Sequence, residues 1–473
     1  MTTGDLHHKQ PIQDMPGAND TGNNTSKKLP SLSSLRGSQM VKIVMIGILM
    51  LLLQVPISKI DDVISERQMR SNEAASEIAT KWGRQQNIVG PIITVPFERK
   101  TVVQEKNNES GVVGNREVIV HEQAHFLAEE LCIEAQTDTT VRHRGIFERP
   151  VYRAGVTLSG RFNKPDFSRL DVEPSRIFWE RATLTVLIAD PRTISNQATL
   201  SWNEQPLAFQ PGTNEILGSG QGIQVSLKDH LQEESFSFSC QLNLQGSGGL
   251  FFAPMGGTTK ADITSNWPHP SFQGDWLPIE HDIDGKSFRA NWQITALGRQ
   301  HGQQWVGRSR INDMIGSALF GVNFVQPIDT YRMAERSVKY QFLFLALTFL
   351  SLWLVEVLAK IRLHPVQYLL VGSGMCLFYL LELSLAEHLG FIIAYCLAAS
   401  AVVLLLSCYC LSILRSGKRS IIIGGFITFL YAYLYTLLIN QDYALLAGSL
   451  GLFVLLAVVM YLTRNIDWSV RRG

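Results

Sequence analysis

The sequence predicts a polytopic α-helical membrane protein with six transmembrane helices, one N-terminal and five C-terminal, and a large, mostly antiparallel β domain exported between them. Three features of the 473-residue chain lead there. Charge gathers between residues 59 and 340, whereas the last third is apolar runs separated by short polar links. Lys and Arg sit in every second link of that last third and are absent from the links between. Within 59–340 the apolar residues recur with a period of two, the spacing of strands with one buried face.

Residues 1–39 are rich in Asn, Gly, Ser and Pro and poor in large apolar side chains. Such a segment buries too little surface to offset its ordering entropy, and it reads as a disordered cytoplasmic tail. The run "IVMIGILMLLLQVPIS" follows Lys27, Lys28, Arg36 and Lys42 and is followed by "KIDDVISER", without a small-x-small cleavage site. It reads as an uncleaved signal-anchor helix over 41–58. "DDVISERQMRSNEAASEIATKWGRQQN" then has helical composition until Gly83 and leads the chain off the membrane.

The exported domain, 59–340, alternates apolar and polar residues in "PIITVPFERKTVVQ", "AGVTLSGRF", "RATLTVLIADP" and "SFSFSCQLNLQG". In the last, Phe236, Phe238, Cys240, Leu242 and Leu244 share one face, and Ser235, Ser237, Ser239, Gln241 and Asn243 the other. A sandwich-like or two-lobed β fold with one or two short helices is expected. Five spans of about the ~20 residues needed to cross the hydrocarbon core follow, at 341–358, 366–386, 390–413, 420–440 and 443–463, forming a bundle over 341–463, with a tail at 464–473. Lys360 and Arg362, then Arg415, Lys418 and Arg419, then Arg464, Arg471 and Arg472 fall on one side, and "EHLG" and "QDY" on the other. The positive-inside rule then puts both termini in the cytoplasm and 59–340 outside.

With 42 Lys and Arg against 41 Asp and Glu, nothing points to nucleic acid or an acidic ligand. Four cysteines lie inside predicted spans; Cys132 and Cys240 share the exported side, where a disulfide is permitted but not placed by sequence. "HEQAH", 121–125, matches a zinc-peptidase pattern that works only on a helix, which sets the two histidines on one face beside a third ligand. Here it is entered through the strand-like "VIV", and Glu134 or Glu148 would be the third ligand only by assumption. Zinc peptidase stays a remote alternative. No nucleophile elbow, phosphate loop, dinucleotide fingerprint or CxxC occurs, and no cofactor or metal is expected.

Three stretches, "TDTTVRHRGIFERPVYRAGVTLSGRF" (137–162), "NWPHPSFQGDWLP" (266–278) and "GVNFVQPIDTYRMAERSVKYQFLFLALTF" (321–349), continue into "LHPVQYLLVGSGMCLFYLLELSLAEHLGF" (363–391) and "QDYALLAGSLGLF" (441–453). Together they resemble the CreD family, the cell-envelope-integrity proteins of the bacterial inner membrane, over about residues 41 to 465. The resemblance implies a multi-pass inner-membrane protein with a large periplasmic domain, serving envelope maintenance and stress tolerance under a two-component system, with no established catalytic activity. The tail at 1–39, Cys132 and the paired His-Glu of "HEQAH" have no counterpart in the family pattern.

Ionisable residues at membrane depth mark the candidate site, because each is costly there unless paired or near water. Glu356 reads as the partner of Lys360, one helical turn on. Glu382 shares a heptad-spaced face with Tyr368 and Met375 and is followed by Glu387 and His388. On the same outer side fall Asp442, between the last two spans, and Asp329, Arg332, Glu335 and Arg336, before the second. The expectation is a ligand-binding or coupling cluster where the bundle meets the exported domain; charges resting in an interfacial loop region are the plainer reading. His269 of "NWPHPSF" reads as part of a rigid turn, and Ala447 and Gly451 as small residues allowing close helix packing. The partners expected are the lipid bilayer and a lipid, envelope-protein or cell-wall ligand; the alternative from another class is a transporter or flippase on the C-terminal bundle.

Overall fold

The structure, a computed structural model, describes residues 39–106, 113–170, 172–213, 221–299, 301–307, 318–326, 329–440 and 442–464. The expected tails at 1–39 and 464–473 lie almost wholly outside the described residues, as do Arg471 and Arg472.

The N-terminal anchor and the segment after it are one helix, α1 (Gln39–Trp82), 44 residues long and uninterrupted at Pro56. At 1.5 Å per residue it extends about 66 Å, well beyond the hydrocarbon core. Ile46, Leu53, Ile57, Ile60 and Ile64 are buried along one stripe, at steps of seven, four, three and four, while Val44, Ile48, Leu51, Leu52 and Val55 stay exposed on the other faces. That is the pattern of a helix packed on one side and bathed in lipid elsewhere.

Gly83 ends α1 and the period changes to two. Three long strands, β1 (Gln86–Lys106), β2 (Val113–Arg144) and β3 (Phe147–Asn163), organise the domain. The first half of β2 pairs antiparallel with β1, from Ile92↔Leu127 to Lys106↔Val113. Its second half pairs with β3, from Glu130↔Arg161 to Arg144↔Phe147. β2 therefore runs through both lobes of a branched sheet, and the lobes share one hydrophobic core. Pairing is antiparallel except for β1 with Gly249–Phe252 and β2 with Gly256–Ser265. Along Ser235–Ser247, Phe236, Phe238, Cys240, Leu242 and Leu244 point into the core and the intervening residues out, as the alternation predicts. The short helices are four 3-10 turns among the described residues.

Cys132 and Cys240 are free. Cys132 pairs with Ser159 and Cys240 with Leu158, so the two lie on either side of β3 and on opposite faces of the sheet. Two strand spacings put their Cα atoms about 10 Å apart, beyond disulfide reach.

The bundle comprises α2 (Thr330–Ala359), α3 (Pro365–Leu389), α4 (Phe391–Leu414), α5 (Gly417–Ile439) and α6 (Ala444–Thr463). With α1, six helices among the described residues are long and apolar enough to cross a membrane. α2 begins well before its apolar run because the Asp329 carboxylate caps it, accepting from the backbone N–H of Tyr331 and of Arg332 at 3.1 and 3.2 Å. Gly372 of α3 lies against the side-chain tips of Leu53 of α1 and Phe349 of α2, which a Cβ there would displace. Ala447 and Gly451 of α6 pack under Tyr433 of α5, whose hydroxyl donates to the Ala447 carbonyl.

Candidate functional site

Two ion pairs fasten α1 to the bundle, one at each end of its membrane crossing. At the end away from the sheet, the Lys42 ammonium meets Glu356, whose second oxygen accepts from the Tyr368 hydroxyl at 3.1 Å. Lys360, the expected partner of Glu356, instead ends α2 in the left-handed region at φ 51°, which turns it out of the i,i+4 geometry. At the sheet end, Arg67 grips Glu387 of α3 through both guanidinium edges, Nε to Oε1 at 2.6 Å and Nη2 to Oε2. The Tyr331 hydroxyl of α2 also donates to Oε1 of Glu387 at 2.9 Å. Lys42 and Arg67 are 25 residues apart, about 37 Å along a helix, against a hydrocarbon core of about 30 Å, so the pairs bracket it.

Between them runs a buried polar seam. Ser337, Gln341, Thr348 and Glu356 follow one face of α2, all buried. Gln341 donates to Gln54 of α1 at 2.7 Å. The Ser337 hydroxyl donates to Oε2 of Glu382 at 2.9 Å. Glu382 shares its buried face with Tyr368 and Met375, as its heptad spacing predicts. Its Oε1 and that of Gln341 have no hydrogen-bond partner among the described residues.

The expected cluster is thus divided. Glu387, His388 and Asp329 line one cleft of about 980 Å³ between α1, the sheet body and the sheet-side ends of α2 and α3. Glu382 lies deeper, inside the bundle. Glu335 faces away and pairs with Lys339 at 2.7 Å. Arg336 reaches across to the Leu437 carbonyl of α5 at 3.1 Å, and Asp442 is exposed in the turn before α6. Reading the sequence missed Arg67, Tyr331, Ser337, Gln54 and Gln341. Arg67 was within reach, since it continues the α1 stripe three residues past Ile64; the two glutamines stand out as amides inside apolar runs.

The other end of α1 is fixed to the sheet. The Trp82 indole donates to the Tyr152 carbonyl at 3.2 Å, and the guanidinium groups of Arg142 and Arg153 lie over its ring at 4.6 and 5.5 Å. Gly83 follows at φ +136°, where a Cβ would meet the Gln245 carbonyl oxygen. The same α1 therefore holds both bodies.

"HEQAH" lies in the middle of β2, where residues i and i+4 are about 13 Å apart, too far for two imidazoles to share one zinc. His121 is exposed and 3.3 Å from Glu98, whereas His125 is wholly buried. The His125 ring stacks on Trp305 at 5.1 Å, with Nδ1 2.9 Å from the Thr94 hydroxyl. Burial depresses its pKa from 6.5 to about 4, so it packs as a neutral ring. "NWPHPSF" forms a corner held by the Trp267 indole on the Val325 carbonyl at 3.0 Å, on the cleft wall.

Residues 38–469 match a family model described as inner membrane protein CreD. Over 420 residues the chain is 32% identical to a protein named inner membrane protein CreD from Escherichia coli (strain K12), covering 88% of this chain and 91% of that one.

Proposed function

Because the chain belongs to the CreD family of inner membrane proteins, we propose that it supports cell-envelope integrity and envelope-stress tolerance, with its sheet body in the periplasm and both ends of the chain in the cytoplasm. The placement of charge supports this orientation. Lys42, Lys360, Arg362, Arg415, Lys418, Arg419 and Arg464 all fall at the bundle end away from the sheet, the end the positive-inside rule assigns to the cytoplasm. The work is binding rather than catalysis: the body holds an envelope or lipid partner and transmits its state to the bundle.

The observation that carries this reading is the single helix α1, joined to the sheet at Trp82 and to the bundle at Arg67, which makes the cleft between them a coupled junction. A second reading, a transporter or flippase built on the bundle, draws on the unpartnered oxygens of Glu382 and Gln341 at membrane depth. One experiment separates them. Cells lacking the chain are complemented with Glu387→Ala or Glu382→Gln versions that insert at normal levels, and survival under envelope stress is scored. Loss of protection with Glu387→Ala but not Glu382→Gln is expected. The reverse order would favour transport, and full protection by both would sink the junction reading.

A further inference from the structure

The cleft at the junction has an uneven charge account. Its acids are already engaged: Glu387 by Arg67 and Tyr331, Asp329 by the start of α2, and Glu148 by His143 at 3.6 Å. Its two arginines are not. Among the described residues neither Arg149 nor Arg332 has a carboxylate partner, and the Arg149 Nε is buried with no hydrogen-bond acceptor. Arg149 projects from the start of β3 and is half-buried beside Gly248, which pushes its pKa down from the usual arginine value. A guanidinium withdrawn from water without an anion is costly, so a site of this kind is completed by a ligand that brings one.

Its depth narrows the class of anion. The cleft contains the first turn of α2 and the last of α3, level with the Arg67–Glu387 pair. Measured along α1 from Lys42, that level lies beyond the ~30 Å hydrocarbon core and inside the ~40–45 Å that includes the headgroups. Apolar side chains, Ile146 and Val325, remain about two-fifths exposed beside the arginines, and His269 and His388 add imidazoles to the same wall. An anionic group with an apolar attachment, presented at headgroup depth, fits all three observations.

We propose that this cleft binds the phosphate of an anionic phospholipid headgroup, with Arg149 and Arg332 as the phosphate clamp and Ile146 and Val325 against the glycerol and upper acyl chain. Guanidinium forks suit phosphate oxygens, and each contact is charge-assisted. The inference deepens the binding role proposed above, and the leaflet concerned, the periplasmic one, rests on the proposed orientation. The binding itself does not, because it is measured on purified protein.

The test is native mass spectrometry of the full chain released from detergent, titrated with phosphatidylglycerol and separately with phosphatidylcholine. Wild type is expected to retain phosphatidylglycerol in preference, and Arg149→Gln/Arg332→Gln to bind it about tenfold more weakly, the loss of two charge-assisted contacts. Arg332 is exposed, so Arg332→Gln alone keeps the test open if the double variant does not fold; it is expected to lose severalfold. Equal affinity in variant and wild type, or no preference over phosphatidylcholine, overturns the proposal. An arm with inorganic phosphate separates the sources: displacement of the lipid at low millimolar phosphate would make this a site for free phosphate and overturn the lipid assignment. A binding result of either sign leaves the stress-survival test independent.

Discussion

Arg67→Met and Glu387→Met, made singly, are each expected to lower the stability of the folded chain in detergent by about 2 kcal/mol, while the double Met variant recovers most of the loss. The Glu387 side chain is 7% exposed and Arg67 30%. Removing one partner of a buried ion pair strands the other's charge, at a cost of about 3–5 kcal/mol for deep pairs, and the partial exposure of Arg67 reduces it here. Replacing both by apolar residues of similar length strands no charge and leaves only the Tyr331 hydroxyl without its acceptor. Glu387→Met is the harsher single change, because it leaves the buried Tyr331 hydroxyl without its acceptor as well. Thermal unfolding of the four chains gives the cycle directly. A double variant as unstable as the sum of the singles would mean that the two side chains do not act as a pair.

The second large effect is on pH. His125 in the unfolded chain takes up a proton near 6.5, whereas in the fold it does so only near 4. Between those values the unfolded state binds a proton that the folded state excludes, so stability is intact above pH 6.5 and falls as pH drops through the window. By pH 4 the loss from this residue alone amounts to about 3 kcal/mol. His301 is also depressed, by burial and then by Arg299, and adds to the same acid sensitivity. His125→Gln keeps a polar group near Thr94 but cannot titrate, so its unfolding midpoint is expected to vary less between pH 6.5 and 4 than that of the parent. An unchanged slope would show that His125 is not held neutral.

The elements with strong periodicity were legible. The apolar runs gave six spans, and alternation gave the face of Ser235–Ser247, because in both cases the environment imposes a repeat on the chain itself. What escaped was long-range pairing. Glu356 looked like a partner for Lys360 because helical neighbours are visible in sequence; Lys42, 314 positions away, is not. Glu387 stands out in the sequence, yet Arg67, 320 positions away, lies among many charges on a polar helix. The helical composition after the anchor was legible up to Gly83, and only the boundary drawn at residue 58 has no counterpart in the continuous α1, because hydropathy registers where the lipid ends, not where the backbone hydrogen bonds do. "HEQAH" was legible for the opposite reason: its strand-like entry "VIV" argues against a motif whose chemistry requires helical spacing, and β2 does run through it.

All of the functional reading depends on which side of the membrane the sheet body occupies, and sidedness is measurable in one step. Ser239, on the solvent face of the sheet, and Lys418, in the first turn of α5, are both exposed. Each is replaced by cysteine, and intact spheroplasts are treated with a membrane-impermeant maleimide, with the parent chain as background. Labelling of Ser239→Cys in intact cells, with Lys418→Cys labelled only after lysis, is the predicted result. The opposite pattern would place the body in the cytoplasm and contradict the proposed role.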